Sequence, residues 1–350
     1  MREQVVGQAS RLSGGGDERE SSHPLGGGAH RTGKTPFPLS RFPAFRLFLG
    51  LLVGCWMLNV ECSPCTAATL ALTPSADTTL IEVAPTNSNG AQPFFNSGTT
   101  QNGTRNRALL RFNLSVLPAN AVIRSAAVEI SVVGIPAEPP ASAPFALHRM
   151  LRHWGEGTNV AVLNIGQGLP AKIGDATWTH AQFNTNAWTL PGCQPIADYF
   201  QFESASQIIY ETGGSPYIHG PTTELAEDVQ GWVQNPAANF GWIYICGEEG
   251  TIFTAKRFGS RENPNEVLRP QLILDYLIPP LITRAERSGN NFLLGFQAQA
   301  GHSYVIEYCD ALGGGAWQPL VNLGYFNTAA PVAYIHPTVP TARCFRLNAY

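Results

Sequence analysis

Residues 108–115 read ALLRFNLS. In an extended chain Leu110, Phe112 and Leu114 share one side, while Leu109, Arg111 and Asn113 take the other, because successive strand side chains point to opposite faces. One dry face and one mixed face is what an antiparallel sheet packed on a single side requires. The same pleated reading applies to residues 126–133 (AAVEISVV), 145–150, 242–246 and 271–276 (QLILDY). Between them Pro118, the stretch 136–144 and the stretch 184–195 punctuate the chain as loops. Residues 69–277 are therefore expected to form an all-β layer structure.

One segment breaks the alternation. Thr222 or Thr223 can cap a helix whose Leu225, Val229, Trp232 and Val233 share a face, with Glu224, Glu227 and Asp228 opposite or near its start. Asn235-Pro236 ends it. The spacing assigns Trp232 to packing against the end of the sheets.

Ile278-Pro279-Pro280 is a stiff connector, so residues 278–281 read as a linker. Beyond it, segments 282–287, 291–298, 302–308, 316–322, 332–336 and 343–349 read as six further strands. About 70 residues of this kind make a second, small β-sandwich over 282–350.

Composition agrees with this organisation. Hydrophobic residues make up 44% of the 350 and charged residues 13%, too apolar for a disordered chain. With 35 Gly and 27 Pro, turn chemistry suits many short strands. The net charge of −3 lacks the basic excess that nucleic acid calls for. Beyond residue 68 the only lysines are Lys172 and Lys256, so cationic chemistry falls to arginine. Its planar fork favours carboxylate partners, internal or on an acidic ligand.

Arg41 and Arg46 precede the apolar run LFLGLLVGCWMLNV at 47–60, followed by the small residues Thr66, Ala67 and Ala68. Fourteen residues fall short of the roughly 20 that a spanning helix needs, and the layout is that of a secretory signal peptide. Residues 1–46 read as a polar leader or a mis-assigned start. Residues 47–68 read as the hydrophobic region and cleavage zone, with the cut after Ala67 or Ala68. Leu52-Val53-Gly54-Cys55 offers an alternative, acylation of Cys55 as a lipoprotein. The mature portion is expected to be secreted or held at the cell surface, without a transmembrane span. Its four cysteines permit disulfides in an exported chain: Cys309 with Cys344, and less strongly Cys193 with Cys246.

Several segments carry a resemblance when taken in order. They are ADTTLIE at 76–82, NSNG at 87–90, NRALLRFNLS at 106–115, WGEG at 154–157, GDATW at 174–178, PAANFGW at 236–242 and FGSREN at 258–263, closing with Arg269-Pro270. Residues 69–277 thereby resemble the DNRLRE domain family, related to disaggregatase repeats and to alginate-binding carbohydrate-binding modules. The resemblance implies a secreted jelly-roll β-sandwich that holds polysaccharide. The tail (YVIEY at 304–308, WQPL at 317–320, RCFR at 343–346) is similar to the small fibronectin-like sandwiches that close many exported bacterial proteins. Cysteine at 309 and 344 departs from that pattern.

Polysaccharide recognition needs aromatic platforms for sugar faces, and Arg, Lys, Asn or Gln for hydroxyls and uronate carboxylates. The candidates are Arg105, Arg107, Arg111, Trp154, Trp178, His180, Lys256, Arg257 and Arg261. Arg107 and Arg111 share a strand face by period two, while Lys256, Arg257 and Arg261 form a second group. The bland alternative is that these arginines pair with internal acids and the tryptophans are core. Asp77 and Glu82 are candidate ligands for a structural calcium ion; no cofactor is required otherwise. For catalysis, Glu156 with Asp175, or His180, His219 and Tyr217, are the only groupings to weigh, and there is no G-x-S-x-G, HExxH or phosphate loop. The expected function is non-catalytic binding of an anionic, alginate-like extracellular polysaccharide. The alternatives are a structural or adhesive cell-surface protein and a polysaccharide-degrading enzyme.

Overall fold

The first strand foreseen runs from Arg105 to Phe112 in a computed structural model that describes residues 62–63, 68–138, 142–310, 316–337 and 343–349. It lies inside an eight-stranded sheet. The hydrogen-bonded order is Ala205–Ile209, Ala143–Arg149, Trp242–Cys246, Arg105–Phe112, Phe94–Thr99, Lys256–Gly259 and Val132–Gly134, with Pro74–Ile81 also pairing onto Arg105–Phe112. The pairings are antiparallel. A second antiparallel sheet of four follows the order Tyr217–His219, Val122–Ile130, Gln271–Leu277 and Ala68–Leu72.

The two layers close over one interior. Leu110, Phe112, Phe145, Tyr244 and Phe258 of the larger sheet meet Val128, Ile130, Leu272 and Leu274 of the smaller one, all buried. The alternation read from ALLRFNLS is thus the alternation of the fold. Burial of each such aliphatic or phenyl group is worth about 1.5–3 kcal/mol. The predicted helix spans Thr223–Gln234, and the Thr222 hydroxyl accepts from the Leu225 N–H at 3.2 Å. Leu225, Val229, Trp232 and Val233 enter the same interior, and Trp232 meets Trp242 with ring centroids 4.5 Å apart. Asp228, expected on the polar side, is instead buried. Its Oδ2 accepts from Ser204 Oγ at 2.6 Å and from Trp242 Nε1 at 2.8 Å, which ties helix to sheet.

The tail forms its own core. Leu281–Ser288, Asn291–Ala298 and Ala330–Pro337 make a three-stranded sheet. Cys344–Ala349, His302–Cys309 and Gln318–Phe326 belong to a four-stranded one, completed by Cys62–Ser63, which pairs in parallel with Leu347 and Asn348. Phe292, Leu294, Phe296, Tyr304, Ile306, Phe345 and Leu347 fill the space between them, with Phe292 and Phe345 stacked at 4.3 Å. All six tail strands foreseen are present, with ends moved by a few residues.

Cys309 stands directly opposite Cys344 in register. The other suggested bridge is excluded by geometry. Trp242, Tyr244 and Cys246 point into the interior between the sheets, while Cys193 packs with Ile243 and Ile245 on the outer side of the same sheet. Both Cys193 and Cys246 are free and buried. The apolar run at 47–60 lies outside the described residues. Among the described residues no helix is long and apolar enough to cross a membrane.

Candidate functional site

Strand Arg105–Phe112 turns Arg105, Arg107, Leu109 and Arg111 away from the interior. That outer face is covered by the long excursion between strands Ala143–Arg149 and Ala205–Ile209. Met150, Trp154, Trp178, Trp188, Cys193 and Tyr199 of the excursion pack against Leu80, Leu109, Ile243 and Ile245 of the sheet as a second hydrophobic core. Trp154 is fully buried, and its Nε1 donates to Phe240 O at 2.7 Å. Trp178 is buried as well. Neither ring is a platform open to a ligand, which corrects the sequence expectation for both. Their bulk satisfies the outer sheet face instead.

The arginines beneath this cover are paired. Arg107 donates from Nε and Nη2 to Glu249 at 2.7 Å each, and from Nη1 to Gly192 O at 2.6 Å and Cys193 O at 2.7 Å. Arg105 grips Glu82 with two guanidinium nitrogens, which holds that carboxyl below its usual range. The guanidinium carbons of Arg105 and Arg107 lie 5.2 and 5.6 Å from the Trp178 ring centre, so both cations sit on one indole. Arg111 lies 5.2 Å over Trp154, and burial lowers its pKa.

A second knot forms around Arg261. Its Nε and Nη2 donate to Glu156 Oε1 and Oε2 at 2.6 and 2.8 Å, and Nη2 lies 2.8 Å from Glu262 Oε1. Asp77 is fully buried behind it, accepting from the Arg261 N–H at 2.8 Å, and its own N–H donates to Glu156 at 2.8 Å. Burial pushes the Asp77 carboxyl well above the ordinary range. Asp77 and Glu82 therefore serve different partners and do not converge on an ion. Among the described residues no three His, Cys, Asp or Glu side chains are grouped to hold a metal. The two candidate calcium ligands thus hold Arg261 and Arg105 respectively.

Lys256 and Arg257 are neighbours in one strand, so they diverge. Lys256 is 2% exposed, with Nζ 5.6 Å from the Phe145 ring centre and 3.4 Å from Thr254 O, and burial lowers its pKa. Arg257 points to solvent and lies 4.7 Å over Phe94. His180 is half-buried, its Nδ1 2.9 Å from Thr179 Oγ1 and its ring against Phe183. The predicted cationic cluster of Lys256, Arg257 and Arg261 does not form. Of the other groupings weighed, His219 is wholly buried with Nε2 3.0 Å from the Tyr244 hydroxyl, and the Tyr217 hydroxyl donates to Glu211 O at 2.8 Å. Asp175 accepts from Ser88 Oγ at 2.6 Å and from the Lys172 N–H at 3.0 Å, while Glu156 is held by Arg261.

No family model matches the chain, and no curated protein matches it.

What lies open is the edge of the larger sheet. Strand Ala205–Ile209 is terminal there, and Tyr217–His219 is terminal in the facing sheet. Ile208, Tyr210 and Ile218 are exposed along this edge. A groove of about 470 Å³ runs beside them, lined by Gln207, Tyr210, Glu211, Pro216 and Ile218. At the other end of the strand, Phe200 and Phe202 meet edge to face at 5.4 Å, with Phe202 62% exposed and the Arg149 guanidinium 5.1 Å over Phe200. Arg149 Nε lies 3.4 Å from Asp228 Oδ1. These rings were missed in the sequence reading. Their signal was present: YFQF at 199–202 followed by ASQIIY at 205–210 keeps large apolar groups on both faces of a strand, which a buried face alone does not require.

Proposed function

We propose that this chain is a non-catalytic recognition protein for an extended extracellular polysaccharide, and that contact is made along the open edge from Phe202 to Tyr210. The observation that carries this reading is the pair of exposed rings, Phe202 and Tyr210, at the two ends of edge strand Ala205–Ile209. Five residues of strand span roughly 17 Å, the scale of a short oligosaccharide. Between the rings, the exposed Ser206 side chain supplies a hydroxyl suited to sugar hydroxyls. The resemblance of residues 69–277 to DNRLRE domains points to the same ligand class.

Three of the five candidate arginines, Arg105, Arg107 and Arg261, each hold a carboxylate of the chain. The favoured ligand is therefore a neutral glycan rather than the alginate-like polymer expected from the sequence. Affinity electrophoresis in gels containing neutral β-glucan, xylan or alginate tests this. Retardation in a neutral glycan, lost in Phe202→Ala/Tyr210→Ala, is the expected result. Retardation by alginate alone overturns the neutral preference. The competing reading, a structural cell-surface protein, draws on the same internal ion pairing, and it prevails if no polysaccharide retards the protein.

A further inference from the structure

The excursion that covers the outer sheet face carries a feature unrelated to the glycan edge. Between Glu156 and Asp175 the chain holds a single formal charge, Lys172. Within that stretch Val162 is 84% exposed, Leu163 80% and Ile173 75%, with Val160 and Leu169 also open. Exposed aliphatic groups normally retreat by loop collapse, and contiguous apolar patches mark interaction surfaces. Here the base of the loop prevents collapse. Buried Asn159 donates from Nδ2 to Ser88 Oγ and to Pro170 O, each at 2.9 Å. Buried Gln92 brackets Ala161, accepting from its N–H at 3.0 Å and donating to its carbonyl at 3.1 Å. Gly168 adopts φ +62°, and a Cβ there would lie 2.5 Å from Ser88 O, so the return strand is pressed directly on its neighbour.

The tip is also cationic at its margin. Arg257 shares with Val162, Leu163, Ile165 and Gln167 the lining of a cavity of about 520 Å³. Among the described residues it has no carboxylate partner, only the Phe94 ring. Lys172 stands exposed, its Nζ on Thr158 Oγ1 at 2.8 Å. Aliphatic side chains partition into hydrocarbon, offering neither ring faces for sugars nor hydrogen bonds. Cations at the margin match anionic headgroups. With no carboxylate between residues 157 and 174, nothing in the loop opposes a negative surface. We infer that the loop 160–173 is a peripheral docking element for an anionic lipid surface, with Val162 and Leu163 entering the acyl boundary and Arg257 and Lys172 meeting the headgroups.

The test is co-sedimentation of the full chain with vesicles of equal parts phosphatidylcholine and phosphatidylglycerol, against phosphatidylcholine alone. Val162→Ser/Leu163→Ser, at exposed sites, should leave the circular dichroism spectrum unchanged and weaken binding to the mixed vesicles by roughly tenfold or more. Arg257→Gln should reduce the preference for anionic vesicles, and added salt should do the same. Because the run at 47–60 can itself associate with lipid, Leu163→Trp supplies a local readout. Its fluorescence in excess of the parent protein should be quenched by brominated lipid. Equal sedimentation of parent and double serine variant, no added quenching in Leu163→Trp, or a concentration-dependent dimer lost in the serine variant would each overturn the inference, the last assigning the patch to a second copy of the chain.

Discussion

Arg107 and Glu249, 142 residues apart in sequence, lock together with Nε and Nη2 each 2.7 Å from a carboxylate oxygen. The guanidinium is almost enclosed, and its remaining donors go to backbone carbonyls of the covering excursion. One side chain thus joins the sheet, the loop around Glu249 and the layer above Trp178. Its chemistry is structural: a charged fork with its hydrogen bonds consumed internally has little left to offer a ligand.

Removing Arg107 leaves the half-buried Glu249 without its partner and the Gly192 and Cys193 carbonyls without their donor. Arg107→Ala is expected to cost about 3–5 kcal/mol of unfolding free energy, read as a lower urea midpoint. Arg105→Ala, whose pair is more exposed, should cost about 1 kcal/mol or less. Similar losses for the two would show that the covering layer does not protect Arg107.

Much of the fold was legible because its cause is local. In ALLRFNLS the period of two is set by the pleat itself, and residues 108, 110 and 112 face the interior as the pattern requires. The helix was legible through its cap and its 3.6 spacing. The site was not, because the decisive fact is tertiary. Nothing near Trp154 or Trp178 in sequence says that the excursion folds back over the sheet, turning two apparent platforms into core. Nor does position 107 announce a partner at 249. Lys256 and Arg257 part for a local reason: adjacent strand residues face opposite ways, so one is buried and the other exposed.

Acid sensitivity should include a contribution from His219. Burial lowers its pKa from 6.5 to about 4, so the folded state holds it neutral while the unfolded chain takes up a proton. The unfolded state then binds more protons between those values, and stability falls as pH drops from 6.5 through about 4. The full loss is on the order of 3 kcal/mol. His219→Gln can keep a polar contact with the Tyr244 hydroxyl while removing the titration. Unfolding free energies measured across this window should show a shallower slope for the variant; parallel slopes would mean that His219 does not carry the effect.

Cys309 and Cys344 occupy one rung of an antiparallel ladder, and such rungs bring Cα atoms to about 4.5–5.5 Å, inside the range a disulfide needs. A small-molecule disulfide should take them to Cys309–Cys344 by exchange: two protein thiols are oxidised and the reagent is reduced to two thiols. Mass spectrometry after digestion should find the 309 and 344 peptides joined, and the bridge should add about 3–4 kcal/mol in the chain-entropy account. Cys309→Ser/Cys344→Ser should abolish both signals. A bridge from Cys246 to Cys193 would contradict the fold, since those residues lie on opposite faces of a sheet.

Gly241 shows how a sequence motif can encode backbone proximity rather than ligand contact. It stands in PAANFGW, between the helix and strand Trp242–Cys246, with φ +73°. A Cβ built there would lie 2.0 Å from Leu110 O and 2.8 Å from Arg111 Cα. Both atoms are main chain of a central strand, so neither can yield as a flexible side chain would. The carbonyl of Gly241 also accepts from the Met150 N–H at 2.9 Å, anchoring the start of the covering excursion. Gly241→Ala therefore combines a left-handed backbone penalty of about 1–2 kcal/mol with displacement of strand Arg105–Phe112. The expected outcome is loss of the cooperative thermal transition, or a midpoint lowered by more than about 8 °C. An alanine variant that melts like the parent would mean that this approach of Gly241 to Leu110 is looser than the geometry requires.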